Sequence, residues 1–185
     1  MIQDVLKEAQ DHMQKAVEAL KKEFATMRVG RATPALLEKV LVDYYGSQMP
    51  VNQLATITAP EARLLVIQPW DKGALGAIEK AILKSDLGLT PTNDGSVIRL
   101  TIPPLTQERR QELVKVAKKK AEEARVAIRN IRREANDQIK NLEKDKTVSE
   151  DEGKRGQDEV QKLTDKFIKT VDELLKSKEE EIMSV

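Results

Sequence analysis

The sequence contains no cysteine, which excludes a disulfide framework and a thiolate metal site. Its single histidine, His12, is too little for an imidazole-based metal centre. Aromatic residues make up only 3% of the chain, leaving few platforms for stacking single-stranded bases. No apolar run approaches the roughly 20 residues of a membrane-crossing helix. The N-terminal stretch MIQDVLKEAQ carries acids and lacks the basic-then-apolar order of a secretory signal. A phosphate loop is also missing: GALGAIEK, from Gly73, does not have the G-x-x-x-x-G-K-[ST] spacing. The carboxylates come with charge partners everywhere, so none forms an isolated acid–base pair. These absences predict a soluble cytoplasmic protein with no metal, no cofactor and no catalytic activity.

What the chain has in quantity is charge. Of its 185 residues 34% are charged, and the 32 basic and 31 acidic side chains nearly cancel. Such a composition suits long exposed helices better than a thick globular core. The cancellation is not local. Residues 104–145 hold twelve bases and eight acids, whereas residues 146–185 hold eight and eleven. The excess positive charge lies on one segment, and within it ARVAIRNIRREAND places Arg125, Arg129, Arg132 and Arg133 in nine positions.

The apolar periodicity divides the chain. From residue 1 to about 29, Leu6, Ala9, Met13, Ala16, Leu20, Phe24 and Met27 step by three and four, the seam of a bundled helix. The pattern stops at RVGRATP, where Gly30 is free to leave helical dihedrals and Pro34 disfavours helix at Thr33. The middle changes period. LEKVLVDYYG, ATITAPEARLLVIQP and GSVIRLTIPP read as strands, and a short helix with Leu75, Ile78 and Ile82 on one face lies among them, with Gly88 as its expected cap. Trp70 is read as a packing or turn residue. After Pro103-Pro104 the helical period resumes through Leu113, Ala117, Ala121, Ala124, Ile128, Ile131, Ala135, Ile139 and Leu142, with Thr106 as expected N-cap. SEDE at Ser149–Glu152 is a capping box. It opens a third seam through Val160, Leu163, Phe167, Val171, Leu174 and Ile182.

Three seams that cannot bury themselves singly predict a three-helix bundle. The predicted class is α+β. Residues 1–30 and 105–185 form a long, discontinuous bundle, and residues 31–104 form a small inserted domain that includes the connectors. Gly30, Arg31, Ala32 and Thr33 make one candidate hinge strand, and Pro103 and Pro104 the other.

On a helical wheel, Lys118, Arg125, Arg129, Arg132, Arg133 and Lys140 fall on a stripe about a quarter-turn from the apolar seam. Two readings compete. The stripe can be a solvated face, with Glu122, Glu134 and Asp137 pairing at helical spacing. It can instead meet phosphate. Arginine rather than lysine is used throughout 125–133, and its planar, bidentate guanidinium suits phosphate. A rigid row of them suits folded RNA read by shape and backbone. Arg28 and Arg31 are candidates to extend the patch. The rival class is a coiled-coil protein–protein scaffold without RNA binding.

Several segments together resemble the bacterial ribosome recycling factor family. They are RVGRATPALL, VDYYGSQMPVNQLA, IRLTIPPLTQERRQELVK, ARVAIRNIRREAND and DEVQKLTDKFI, in order along essentially the whole chain. Val51 stands where that family usually has Leu, and Gln107 where it has Glu. The resemblance implies a three-helix bundle plus a β/α/β-layered domain, set as an L of tRNA-like dimensions. It implies binding to the post-termination ribosome, with the bundle on the 23S rRNA of the large ribosomal subunit. It also implies joint action with elongation factor G, whose GTP hydrolysis drives subunit splitting and release of mRNA and deacylated tRNA. By the same resemblance, Arg28, Arg31, Arg129, Arg132 and Arg133 carry the rRNA contact, with Arg125 and Lys118 beside them, in a protein that is a monomer in solution.

Overall fold

The structure, a computed structural model, describes residues 1–184. They form two compact units. One comprises Met1–Met27 and Glu108–Ser184, the other Arg28–Gln107. The chain thus leaves the first unit and returns to it.

The helical unit is built from α1 (Ile2–Thr26), α3 (Gln107–Lys144) and α4 (Glu150–Ser184). The buried residues of α1 are Ala9, Met13, Val17, Leu20 and Phe24. Those of α3 are Leu113, Ala117, Ala121, Ala124, Ile128, Ala135 and Ile139. In α4 they run Gly153, Gly156, Val160, Thr164, Phe167, Val171, Lys178, Ile182. All three sets step by three, four or their sum, the spacing of helices that pack nearly along one another. Ala9, Ala135, Ile139 and Val160 share one cluster, so all three helices meet in one core. Lys120 of α3 pairs with Glu23 of α1, and Arg110 near the start of α3 donates to the carbonyls of Ile182 and Met183 at the end of α4. Helix α3 therefore runs antiparallel to both neighbours. Arg110 also satisfies carbonyls that the last turn of α4 cannot pair.

Several expected seam positions shift by one. Val17 is buried where Ala16 was expected, and Thr164 where Leu163 was. Thr164 enters the core because its hydroxyl donates to the carbonyl of Val160 at 2.8 Å, leaving its methyl to pack. Two glycines in the seam of α4 carry no apolar signal in a sequence. At Gly156 a Cβ would lie 3.1 Å from Ile2 and 3.2 Å from Ile139, so this position lets the three helices converge. Helix α1 ends earlier than its periodicity suggests. Met27 is extended (φ −70, ψ 127), and the Thr26 hydroxyl donates to the carbonyl of Glu23. The N-cap bond of the expected capping box is present at the start of α4: the Glu152 N–H donates to Ser149 Oγ, and that hydroxyl in turn donates to Glu152 Oε1.

The second unit holds a two-stranded hairpin, β1 (Leu41–Tyr44) with β2 (Ser47–Pro50), and a four-stranded antiparallel sheet in the order β3-β4-β6-β5. In that sheet β3 is Ala55–Glu61, β4 is Leu64–Pro69, β5 is Thr92–Asn93 and β6 is Ile98–Thr101. Short helix α2 (Leu75–Lys84) buries Ile78 and Ile82 in the same core as Val42, Leu65, Ile67, Ile98 and Leu100. Alternation places Leu65 and Ile67, and Ile98 and Leu100, on the covered face of their strands. Helix α2 ends at Ser85 rather than near Gly88, because the Ser85 N–H and hydroxyl both donate to the Ile82 carbonyl. Strands β2 and β5 were not legible as separate runs. The β1–β2 turn holds Tyr45 (φ 50) and Gly46 (φ 80), a mirror-image turn with an unusual residue in its first position. Trp70 is not a packing residue: it is 66% exposed, with its indole N–H donated to Thr56.

The two connectors are held in the same way, each by a backbone bond to the turn between β3 and β4. Ala32 is buried and its N–H donates to the Ala62 carbonyl at 2.7 Å; the Ile102 N–H donates to the neighbouring Arg63 carbonyl at 2.8 Å. Both strands of chain are thus pinned to one β-turn. Gly30 has φ +77, and a Cβ there would sit 2.8 Å from Leu105 Cγ, so the two connectors touch side by side at a point where only glycine fits.

Gly30→Ala is expected to lose about 2 kcal/mol of unfolding free energy, from left-handed backbone strain plus the clash with Leu105. Urea titration followed by Trp70 fluorescence measures it, and an unchanged midpoint would refute the packed-connector description. Ser149→Ala is expected to cost about 1 kcal/mol, read as a lower thermal midpoint by circular dichroism at the helical band.

Candidate nucleic-acid interface

Helix α3 is 38 residues long, or about 57 Å of straight rod. Its seam residues are locked into the bundle, so the rotation of the rod about its axis is fixed. That rotation sets where each basic side chain goes. Lys118, Arg125, Arg129, Arg132 and Arg133 do lie on this one helix, but they are not equivalent.

Arg125 turns towards α4. Its Nη2 lies 2.7 Å and its Nε 2.9 Å from Asp172 Oδ1, and its Nη1 lies 3.1 Å from Glu122 Oε2. Its side chain is only 18% exposed. Burial works against its charge, but the bonds to Asp172 and Glu122 outweigh this and raise its pKa. Arg125 is a clamp between two helices, not a member of a solvated face or of an open row facing phosphate. It lies closest to the seam side of the stripe, together with Arg132, whose Nη1 donates to Gln161 of α4 at 3.4 Å.

Arg129 is 40% exposed and gives one Nη1 contact of 3.0 Å to Glu122 Oε1. Glu122 is thereby shared by two guanidinium groups. Its carboxyl is held below the ordinary glutamate range first by the bond from Arg129, then by that from Arg125. Arg133 donates only to Asn130 on its own helix, at 3.4 Å, and is exposed. Lys118 and Lys140 are exposed as well. Among the described residues Lys118, Arg132, Arg133 and Lys140 form no ion pair, nor do Arg28 and Arg31. The solvated-face pairing is thus present at Glu122, whereas Glu134 and Asp137 form no ion pair among the described residues.

Arg28 and Arg31 are exposed and lie in the connector beyond the end of α1, in the second unit rather than in the helical one. Arg28 therefore does not end the first helix. Gly30, Ala32 and Thr33 precede the short turn at Pro34–Leu37, and Ala32 is fixed by its backbone bond rather than free to swivel. Pro103 and Pro104 are exposed and follow the pinned Ile102.

Sequence reasoning missed Asp172 and Gln161, the α4 partners that turn Arg125 and Arg132 inward. Their signal is weak, because any exposed acid or amide on α4 is equally placed until the register of the two helices is known. Among the described residues no group of acids and histidine is placed to hold a metal ion, and no helix is long and apolar enough to cross a membrane.

Known proteins place this arrangement. The sequence pattern described as "Ribosome recycling factor" matches residues 20–183. A "Ribosome-recycling factor" of Carboxydothermus hydrogenoformans is 89% identical over 185 residues, covering 100% of both chains. One from Heliobacterium modesticaldum is 66% identical over the same span, again covering 100% of both. Among solved structures, one described as "Solution structure of the ribosome recycling factor" superposes with a TM-score of 0.77 at 52% identity, covering 100% of this chain and 98% of that one. A second is a chain from "Models for the T. thermophilus ribosome recycling factor and the E. coli elongation factor G bound to the E. coli post-termination complex". It superposes with a TM-score of 0.66 at 53% identity, covering 99% of each. With its helical bundle, its small antiparallel-sheet domain and this full-length similarity, the chain belongs to the ribosome recycling factor family.

Proposed function

We propose that this cytoplasmic protein binds the post-termination ribosome as a monomer through 23S rRNA of the large subunit. With elongation factor G and GTP hydrolysis by that partner, it splits the subunits and releases mRNA and deacylated tRNA. It is not itself an enzyme: it supplies a lever and the partner supplies the energy. The observation that carries this reading is the unpaired part of the α3 row. Among the described residues exposed Arg133 and Lys118, and half-buried Arg132 beside α4, stand without a carboxylate partner on a helix whose rotation the bundle fixes. Guanidinium groups in that state are ready for charge-assisted bonds to phosphate. Arg129 joins them through the donors that Glu122 leaves open, and Arg125 shapes the row from within. Arg28 and Arg31 add contacts next to the connectors.

The second unit is proposed to pivot on the two connectors. Because Ala32 and Ile102 are pinned to the Ala62–Arg63 turn, the stretch left to pivot narrows to Arg28–Arg31 on one side and Pro103–Leu105 on the other, with Gly30 against Leu105 as its contact point. Gly30 supplies the one left-handed joint, and the prolines restrict the return strand.

Charge reversal at Arg133, or Arg132→Ala, is expected to weaken binding to large ribosomal subunits at least about tenfold and to flatten its salt dependence, since each lost phosphate contact releases one counterion fewer. Arg125→Ala should behave differently. It is expected to lower the thermal midpoint of the bundle, because it removes the bonds to Asp172 and the packing of a largely covered side chain between α3 and α4, and to reduce binding less than Arg133 reversal does. Sedimentation with subunits across a salt series, beside thermal melts, separates the two; salt-insensitive binding would contradict the RNA reading and favour a protein scaffold. A cross-link between the two units, made through introduced cysteines in a chain that has none, should leave binding intact and block subunit splitting. Unimpaired splitting would remove the pivot.

A further inference from the structure

Glu122 is oddly placed for a helix that grips phosphate. Both of its oxygens face arginines of its own helix, Oε2 towards Arg125 and Oε1 towards Arg129. Arg125 does not need it, because Asp172 already holds that guanidinium at two nitrogens across to α4. The Glu122 side chain is 54% exposed, so its ion pairs are of the solvated kind that contributes little to stability. It does not join helices, and it sits on the same side of the rod as the row proposed to meet RNA.

We propose that Glu122 is an internal competitor of the RNA phosphate for Arg129, and so limits how tightly and for how long α3 holds the ribosome. The proposal rests on the reading of α3 as an rRNA-binding face. A phosphate reaching Arg129 must displace the carboxylate or bind beside it, and two anions at close range repel. Arg132 and Arg133 have no such internal anion among the described residues. The row is therefore open at one end and masked at the other. First contact falls to exposed Arg133, and Arg129 engages against the competing Glu122 carboxylate, by displacing it or by binding beside it. For a factor that serves one ribosome after another, a grip that is completed by exchange shortens residence, and affinity among related complexes is set mainly through dissociation. Arg129 is thus the contact whose strength Glu122 tunes, and Glu122 acts through it as a positioning residue.

The test compares Glu122→Gln with Glu134→Gln, which removes the same charge from an exposed site on α3 that forms no ion pair among the described residues. Binding to purified large ribosomal subunits, its dissociation rate and its salt dependence are measured for both, beside thermal melts and a charge-reversed Arg133 variant. Glu122→Gln is expected to bind about three- to tenfold tighter, the order for one unit charge removed at close range in a screened setting. It should dissociate correspondingly slower, show a steeper salt slope and melt as the wild type does. Glu134→Gln should change affinity less than about twofold. If Glu122→Gln binds no tighter than Glu134→Gln, or binds more weakly, the competitor role is overturned. With Arg133 reversal still disruptive, that failure touches Glu122 alone. If Arg133 reversal also leaves binding unchanged, the RNA-binding face falls and this inference with it.

Discussion

The rotational setting of α3 within the bundle is the constraint on which the rest depends. Alanines at 117, 121, 124 and 135 let the helix lie close to its neighbours, and Ile128 and Ile139 lock it against them. A helix packed this way cannot turn about its axis without exposing the seam, at a cost of roughly 25 cal/mol for each Å² of apolar surface returned to water. Because the seam is fixed, each arginine is assigned a direction by its angle from it. Arg125 and Arg132, nearest the seam, meet α4. Arg129 is half-way out, and Arg133 stands in solvent. One packing interaction therefore sorts a run of chemically identical side chains into two that reach α4, one that shares Glu122 and one that stands in solvent.

This sorting explains why the architecture was more legible than the site. Apolar spacing is a property of one helix, so the three seams could be read along the chain, and the short strands with their central helix could be placed by their change of period. The differences are local and have physical causes. Gly153 and Gly156 carry no apolar signal because they contribute by lacking a side chain, and Thr164 carries none because it enters the core only with its hydroxyl satisfied by the helix's own carbonyl. Met27 fits the helical spacing although its backbone has already become extended. The site is a different matter. Whether Arg125 points to solvent or to Asp172 depends on the register of α3 against α4, a relation between residues 47 positions apart that no periodicity encodes.

The electrostatics follow the same logic. In a nearly neutral chain with a concentrated basic segment, built-in counter-charges go to some of the basic groups and solvent serves the others. Asp172 pairs with the most covered of these arginines, where an unpaired guanidinium would cost most, while the arginines without an ion pair among the described residues are ones that water still reaches. The same rule holds in the second unit. Asp94 receives the N–H groups of Val97 and Ser96, then Arg99, and its carboxyl is held far below the usual range. Asp71 accepts first from Gly73 N–H and then from the Tyr44 hydroxyl, which is pushed up to about 12 by that bond. These charges organise loops. Because they are already occupied, they are poor candidates for recognition.

The discontinuous bundle raises a folding problem that the connectors resolve. Helix α1 cannot bury its seam until α3 and α4 exist, and the 28–107 segment intervenes. If that segment were a flexible loop of about 80 residues, closing it would cost roughly 2 kcal/mol more than closing a loop of ten, since closure entropy grows with the logarithm of length. The second unit shortens the effective loop by folding on its own core. Once β3 and β4 pair, adjacent residues Ala62 and Arg63 hold Ala32 and Ile102, and Gly30 packs on Leu105. The entry and exit strands then leave as neighbours, and the remaining closure involves only a few residues on each side. The feature proposed as a pivot is thus first of all what makes an interrupted bundle assemble. Its narrowness follows from that requirement: the more residues the sheet pins, the lower the closure cost and the fewer connector dihedrals remain to be ordered.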